Sequence, residues 1–161
     1  MSKKTVFAWL TLLAWIFLLT FLSSEDGLAT AKTSDRIVSL LMRIFTIPAI
    51  YRSSLESTLR MVAHFICFFG LGILMIVAFR AAWGRMRAMI WRVMGICAVM
   101  GIMDEVKKVF IIGRHLSWPE AGLNVVSAWF GIVVMVLIFH WYTKDRNRSF
   151  DPKVSQAELT K

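Results

Sequence analysis

Four apolar stretches constrain what this chain can fold into: Val6 to Leu22, Met61 to Phe79, Ala88 to Met103 and Leu123 to Tyr142, separated by charged segments. Each approaches the ~20 residues that carry an α-helix across a bilayer, the third if it continues past Asp104. A water-soluble fold would need polar side chains to cover its surface. At 58% hydrophobic residues and a mean hydropathy of +0.65, the chain does not have them. The expected fold class is all-α: a polytopic membrane protein, a four-transmembrane-helix bundle with a short amphipathic helix in the first outer loop. Residues 1–142 are expected to form the membrane domain and 143–161 a basic, disordered cytoplasmic tail.

Lys3 and Lys4 before an apolar run also resemble the start of a cleaved signal peptide. This run is longer than a usual signal core, and Phe21-Leu22-Ser23-Ser24-Glu25 lacks a small-x-small cleavage pattern, so it is expected to be retained. Eleven Lys/Arg fall in the 36 residues of 1–4, 80–92 and 143–161, against eight in the 57 residues of 23–60 and 104–122. That bias places both termini in the cytoplasm and the chain in the cytoplasmic (inner) membrane as a multi-pass protein. Of the formal net charge of +9, the cytoplasmic pieces carry +8. The basic balance reads as topology and contact with anionic membrane lipids. Nucleic-acid binding is not expected, because no soluble domain carries the charge. Cys67 and Cys97 both fall inside predicted spans and read as buried apolar cysteines.

Between helices 1 and 2, Ile37, Leu40, Leu41, Ile44 and Phe45 recur at helical spacing behind Thr33-Ser34-Asp35, a predicted N-cap, and Pro48 ends the pattern. This segment should lie on the outer membrane surface or cap the bundle. Gly27 is expected to stop helix 1, and Gly70 and Gly72 to permit close helix contact. After helix 3, Gly113 is expected to supply the positive φ of a turn. Helix 4 should begin near Ser117 with Pro119 and Glu120 in its first turn, and Asn124, Ser127, Ala128 and Gly131 on one close-packing face.

Counting depth along the four spans gathers the unusual polar residues at the outer level. Arg60 and His64 share a face of helix 2, one turn apart. Asp104, Glu105 and Lys108 close helix 3, Arg114 follows the turn, and Glu120 and Asn124 open helix 4. Ionisable groups inside spans are expensive and mark functional sites, whereas a self-neutralising cluster of i, i+3 and i, i+4 ion pairs is the structural alternative. The candidate ligand-binding set is Arg60, His64, Asp104, Glu105, Lys108, Arg114, Glu120 and Asn124. No cofactor and no metal are expected, since no histidine cluster has a recognisable metal spacing.

These residues resemble the VanZ-like membrane proteins. The resemblance rests on Phe21-Leu22-Ser23-Ser24 after helix 1, on His64-Phe65, Phe68-Phe69 and Leu71-Gly72 in helix 2, on Asp104-Glu105 ending helix 3, and on Gly113-Arg114 and Asn124. It covers roughly Trp9 to Phe139. Lys108 stands where the family usually has Gln, and Glu120 where it usually has Asp. The resemblance implies a cell-envelope role, since the bacterial name-bearing member is associated with low-level teicoplanin resistance.

Three functions follow as expectations. The first is a non-catalytic protein that binds an amphiphilic envelope ligand or lipoglycopeptide, with Arg60, Arg114 and Lys108 on its anionic head. The second is a membrane enzyme acting on a lipid or lipid-linked substrate, with Glu105 as base, His64 as acid-base partner and Arg114 holding an anion. The third is a purely structural polar network.

Overall fold

The computed structural model describes residues 2–24, 27–46, 48–83 and 86–149. Among these residues every element is helical: five α-helices, α1 (Lys3–Ser23), α2 (Gly27–Phe45), α3 (Arg52–Trp83), α4 (Met86–Lys107) and α5 (Trp118–Ser149), with single 3-10 turns at Ala49–Tyr51 and Lys108–Phe110. Among the described residues three spans, Lys3–Ser23, Ala49–Trp83 and Trp118–Lys144, are long and apolar enough to cross a membrane. α4 is not among them: it matches a span in length, at 22 residues, but carries Arg92, Asp104, Glu105 and Lys107.

α1 is capped by the Ser2 hydroxyl, which accepts from the Thr5 N–H at 3.2 Å, and closes where Ser24 Oγ donates to Thr20 O at 2.6 Å. It is apolar all round, and only Thr5 and Leu12 are buried; such a helix needs lipid or protein on every side. α2 starts upstream of expectation. Gly27 opens this helix instead of stopping α1, and Thr33-Ser34-Asp35 lies inside it. A capping motif only permits a helix to begin; with Ala29, Ala31 and Lys32 favourable and no proline before Pro48, nothing compels a start at Thr33. Val38 is fully buried, while Ile37, Leu40, Ile44 and Phe45 of the predicted stripe are exposed. α2 therefore rests on α3 through a narrow contact and presents most of its apolar stripe outward.

Inter-helix hydrogen bonds fix the directions. Thr5 Oγ1 donates to Ala81 O at 3.1 Å and Trp15 Nε1 to Cys67 O at 3.0 Å, so α1 runs antiparallel to α3. Asn124 Nδ2 reaches Gly101 O at 3.3 Å and Trp129 Nε1 reaches Met94 O at 3.1 Å, so α4 runs antiparallel to α5. α3 and α5 are parallel, and they cross closely because two glycines face backbone. A Cβ on Gly72 would meet Ala128 O at 2.0 Å, and one on Gly131 would meet Phe69 O at 2.3 Å. The stripe of small residues read from the sequence is thus the contact face: Asn124, Ser127 and Ala128 are all fully buried.

Phe68, Leu71, Met75, Ile76 and Phe79 of α3 form the core with Leu12, Val93, Cys97, Ala128 and Ile132. The two cysteines are unpaired; Cys97 is buried and Cys67 half-buried. Gly113 takes a φ of +77°, as the turn after α4 requires. α5 begins at Trp118 with Pro119 and Glu120 in its first turn, and the Ser117 hydroxyl accepts from the Glu120 N–H at 3.5 Å. α5 continues through Ser149, past position 142 where the membrane domain was expected to end; residues 150–161 of the predicted tail lie outside the described residues.

Candidate functional site

The end of α4 and the starts of α3 and α5 meet at one end of the helix set, and there the predicted polar residues converge. Asp104 and Glu105 are sequence neighbours but face different surroundings, because successive helix positions point about 100° apart. Glu105 turns inward and is fully buried. Its Oε1 accepts from Lys108 Nζ at 2.5 Å, and its Oε2 lies 3.4 Å from the Ser117 N–H. Lys108, buried as well, reaches Glu120 Oε2 at 2.7 Å with the same ammonium group. One lysine thus ties the end of α4 to the start of α5 through two carboxylates. A buried ammonium has three protons to place, and two of them are placed here on charged acceptors.

His64 enters from α3. Its Nδ1 is 2.9 Å from Asn124 Oδ1, and its Nε2 is 3.9 Å from Glu120 Oε2. Asn124 is fully buried and bridges three helices, since its amide nitrogen donates to Gly101 O. Such an interhelical bond is what an asparagine in a span commonly provides. Here it also orients an ionisable ring.

Above this floor lies a cleft of about 410 Å³. Leu19 and Leu22 of α1, Ile37 of α2, and Leu59, Val62 and Ile66 of α3 give it an apolar wall, while Arg60, His64, Asp104, Lys108 and Arg114 supply polar groups. Asp104 pairs with Lys107 at 3.3 Å, and Arg114 donates to Ser23 O at 2.8 Å, so the turn after α4 folds back onto the end of α1. Ser23 also lines the cleft, and its buried hydroxyl has no hydrogen-bond partner among the described residues.

All eight predicted residues therefore lie at one end of the molecule, in two groups. His64, Glu105, Lys108, Glu120 and Asn124 form the buried network, and Arg60, Asp104 and Arg114 join His64 and Lys108 along the cleft. Glu105, expected as a general base, has both oxygens engaged by Lys108 and Ser117. The role of Ile37 in the cleft wall had no signal beyond its place in an apolar stripe. One grouping was missed. His64, Asp104 and Glu105 each offer a ligand atom within 4.8 Å of the others, a set formed across some forty residues of sequence where no spacing motif exists.

No family model, curated protein or solved structure matches this chain.

Proposed function

We propose that the chain is a VanZ-like integral membrane protein of the cell envelope, with four spans and both termini cytoplasmic, that binds an amphiphilic ligand in this outward-facing cleft. The observation that carries the reading is the cleft itself: an aliphatic wall shared by α1, α2 and α3 beside a floor of charged groups. A hydrocarbon tail suits the wall, and a polar head suits Arg60 and Arg114, whose guanidinium groups match carboxylate or phosphate. Lys108 is withdrawn from the head-group role, because its ammonium already serves Glu105 and Glu120.

Helix directions support α4 as the fourth span. If α3 and α5 cross in one sense, the antiparallel α4 between them returns the chain, and its exposed Ile96, Val99, Ile102 and Met103 require lipid. The exposed stripe on α2 suits the outer leaflet surface, beside the cleft that Ile37 lines.

The test is native mass spectrometry of detergent-purified wild type and Arg114→Ala. Wild type should retain a specific lipid or added teicoplanin that the variant loses, and identical spectra would overturn the reading. The envelope role is tested separately by growth inhibition with teicoplanin and vancomycin in a susceptible Gram-positive host at matched membrane levels. Wild type alone should protect, mainly against the lipid-tailed drug.

A second reading is a membrane enzyme acting on a lipid or lipid-linked substrate. It is favoured by His64 and two carboxylates converging at the cleft floor, although Glu105 is poorly placed as its base.

A further inference from the structure

The position of one proton on His64 follows from its neighbours. Asn124 Nδ2 donates to Gly101 O, a group that can only accept, so the amide oxygen of Asn124 must be the atom that faces the histidine ring. That oxygen lies 2.9 Å from His64 Nδ1 and can only accept, so Nδ1 carries the hydrogen. In the neutral ring Nε2 then holds a bare lone pair, and this nitrogen looks toward Glu120 Oε2 at 3.9 Å. A lone pair set against carboxylates is an arrangement completed by a cation.

The pattern matches the outer shell of a metal-ligating histidine: one nitrogen anchored by a protein acceptor, the other directed at the ion. Asn124, fully buried and itself anchored, is that support. From α4, Asp104 and Glu105 each bring a carboxylate oxygen within 4.8 Å of a ring nitrogen of His64 and of each other. Ligands held about 2.1 Å from one tetrahedral zinc ion lie ~3.4 Å apart, so the two carboxylates must rotate inward by roughly an ångström to close the set. Lys108 already sets one positive charge against the Glu105 carboxylate, one of the three ligands. Because its ammonium also bonds Glu120, it keeps one partner when Glu105 turns to the ion.

We propose that His64 Nε2, Asp104 and Glu105 form a divalent-cation site of zinc type. Three protein ligands leave a coordination position open, the arrangement of zinc sites that act on a ligand rather than only brace a fold. His64 and Asp104 line the cleft, so the open position faces its contents. The site stands independently of whether an amphiphile occupies the cleft, and is tested without one.

Full-length protein in detergent is stripped with EDTA, desalted and titrated with zinc chloride alone, with bound zinc read by elemental mass spectrometry and unfolding followed in parallel. Wild type should bind one zinc per chain and melt at a higher temperature with zinc than without. Asp104→Asn should abolish binding, and Asn124→Ala should weaken it by about 10- to 100-fold through loss of the histidine's support. Lys108→Gln, which removes the resident cation, should bind more tightly than wild type; a purely structural role for these residues predicts no such gain. Equal binding by wild type and Asp104→Asn, with the variant's metal-free melting unchanged, overturns the proposal. So does zinc binding by Lys108→Gln but not by wild type, because Lys108 is then the permanent occupant.

Discussion

Replacing Lys108 by methionine shortens the side chain by one atom and removes its charge, leaving Glu105 and Glu120 facing a hydrophobic methyl group. Glu105 is fully buried and Lys108 is 5% exposed, whereas the Glu120 side chain is 22% exposed. Removing one member of a buried ion pair costs about 3–5 kcal/mol, because the remaining charge stays desolvated. Partial hydration of Glu120 places the expectation near ~3 kcal/mol, almost all of it from Glu105. For a chain of this size each 1 kcal/mol moves the melting temperature by about 2–4 °C, so Lys108→Met should melt roughly 6–12 °C below wild type. The assay is thermal unfolding in detergent with EDTA present. The second variant, Lys108→Met with Glu105→Gln, removes the stranded charge and should recover more than half of the loss, a coupling of ~1.5 kcal/mol or more. The reasoning fails if Lys108→Met melts within about 2 °C of wild type, or if adding Glu105→Gln lowers the melting temperature further.

Gly72→Ala should be among the most damaging single changes in the molecule. Its Cβ would stand 2.0 Å from Ala128 O, a backbone atom that cannot swing away, so α3 and α5 must separate; a loss of ~3 kcal/mol or more is expected in the same assay. Gly95→Ala is the matched control: among the described residues nothing lies within 4 Å of an added Cβ, and relief of helix entropy should stabilise it by about 0.5–1 kcal/mol. Asn124→Leu leaves Gly101 O and the His64 ring without their partner. It should cost about 1–3 kcal/mol, whereas Arg52→Ala, which removes exposed pairs with Asp35 and Glu56, should cost less than ~1 kcal/mol. In a thiol-labelling time course in detergent, Cys67 on the cleft should react before the fully buried Cys97.

The sequence by itself determined what depends on local order and on periodicity. Apolar runs of membrane length dictate helices, and Gly113, Ser117, Pro119 and Glu120 mark the turn and the start of α5 because turns and caps are made by residues a few positions apart. The contact face through Asn124, Ser127, Ala128 and Gly131 was legible for the same reason: one helix's own period places small residues in a line. The gathering of the polar residues at one end is an expectation from counting positions along successive apolar runs.

Tertiary structure decided which of those residues touch. Asp104 and Glu105 are indistinguishable as sequence, and only the rotation of α4 against α3 and α5 sends one to the cleft and the other to Lys108. The start of α2, its outward apolar stripe and the placing of Ile37 in the cleft wall depend on a contact with α3 that no local pattern specifies. His64 meets Asn124 across sixty positions, and with that bond comes the orientation of its ring toward the carboxylates. Pairings of this kind are set by how the helices cross, and here the crossing is governed by two glycines, Gly72 and Gly131, that let α3 and α5 approach until backbone meets backbone.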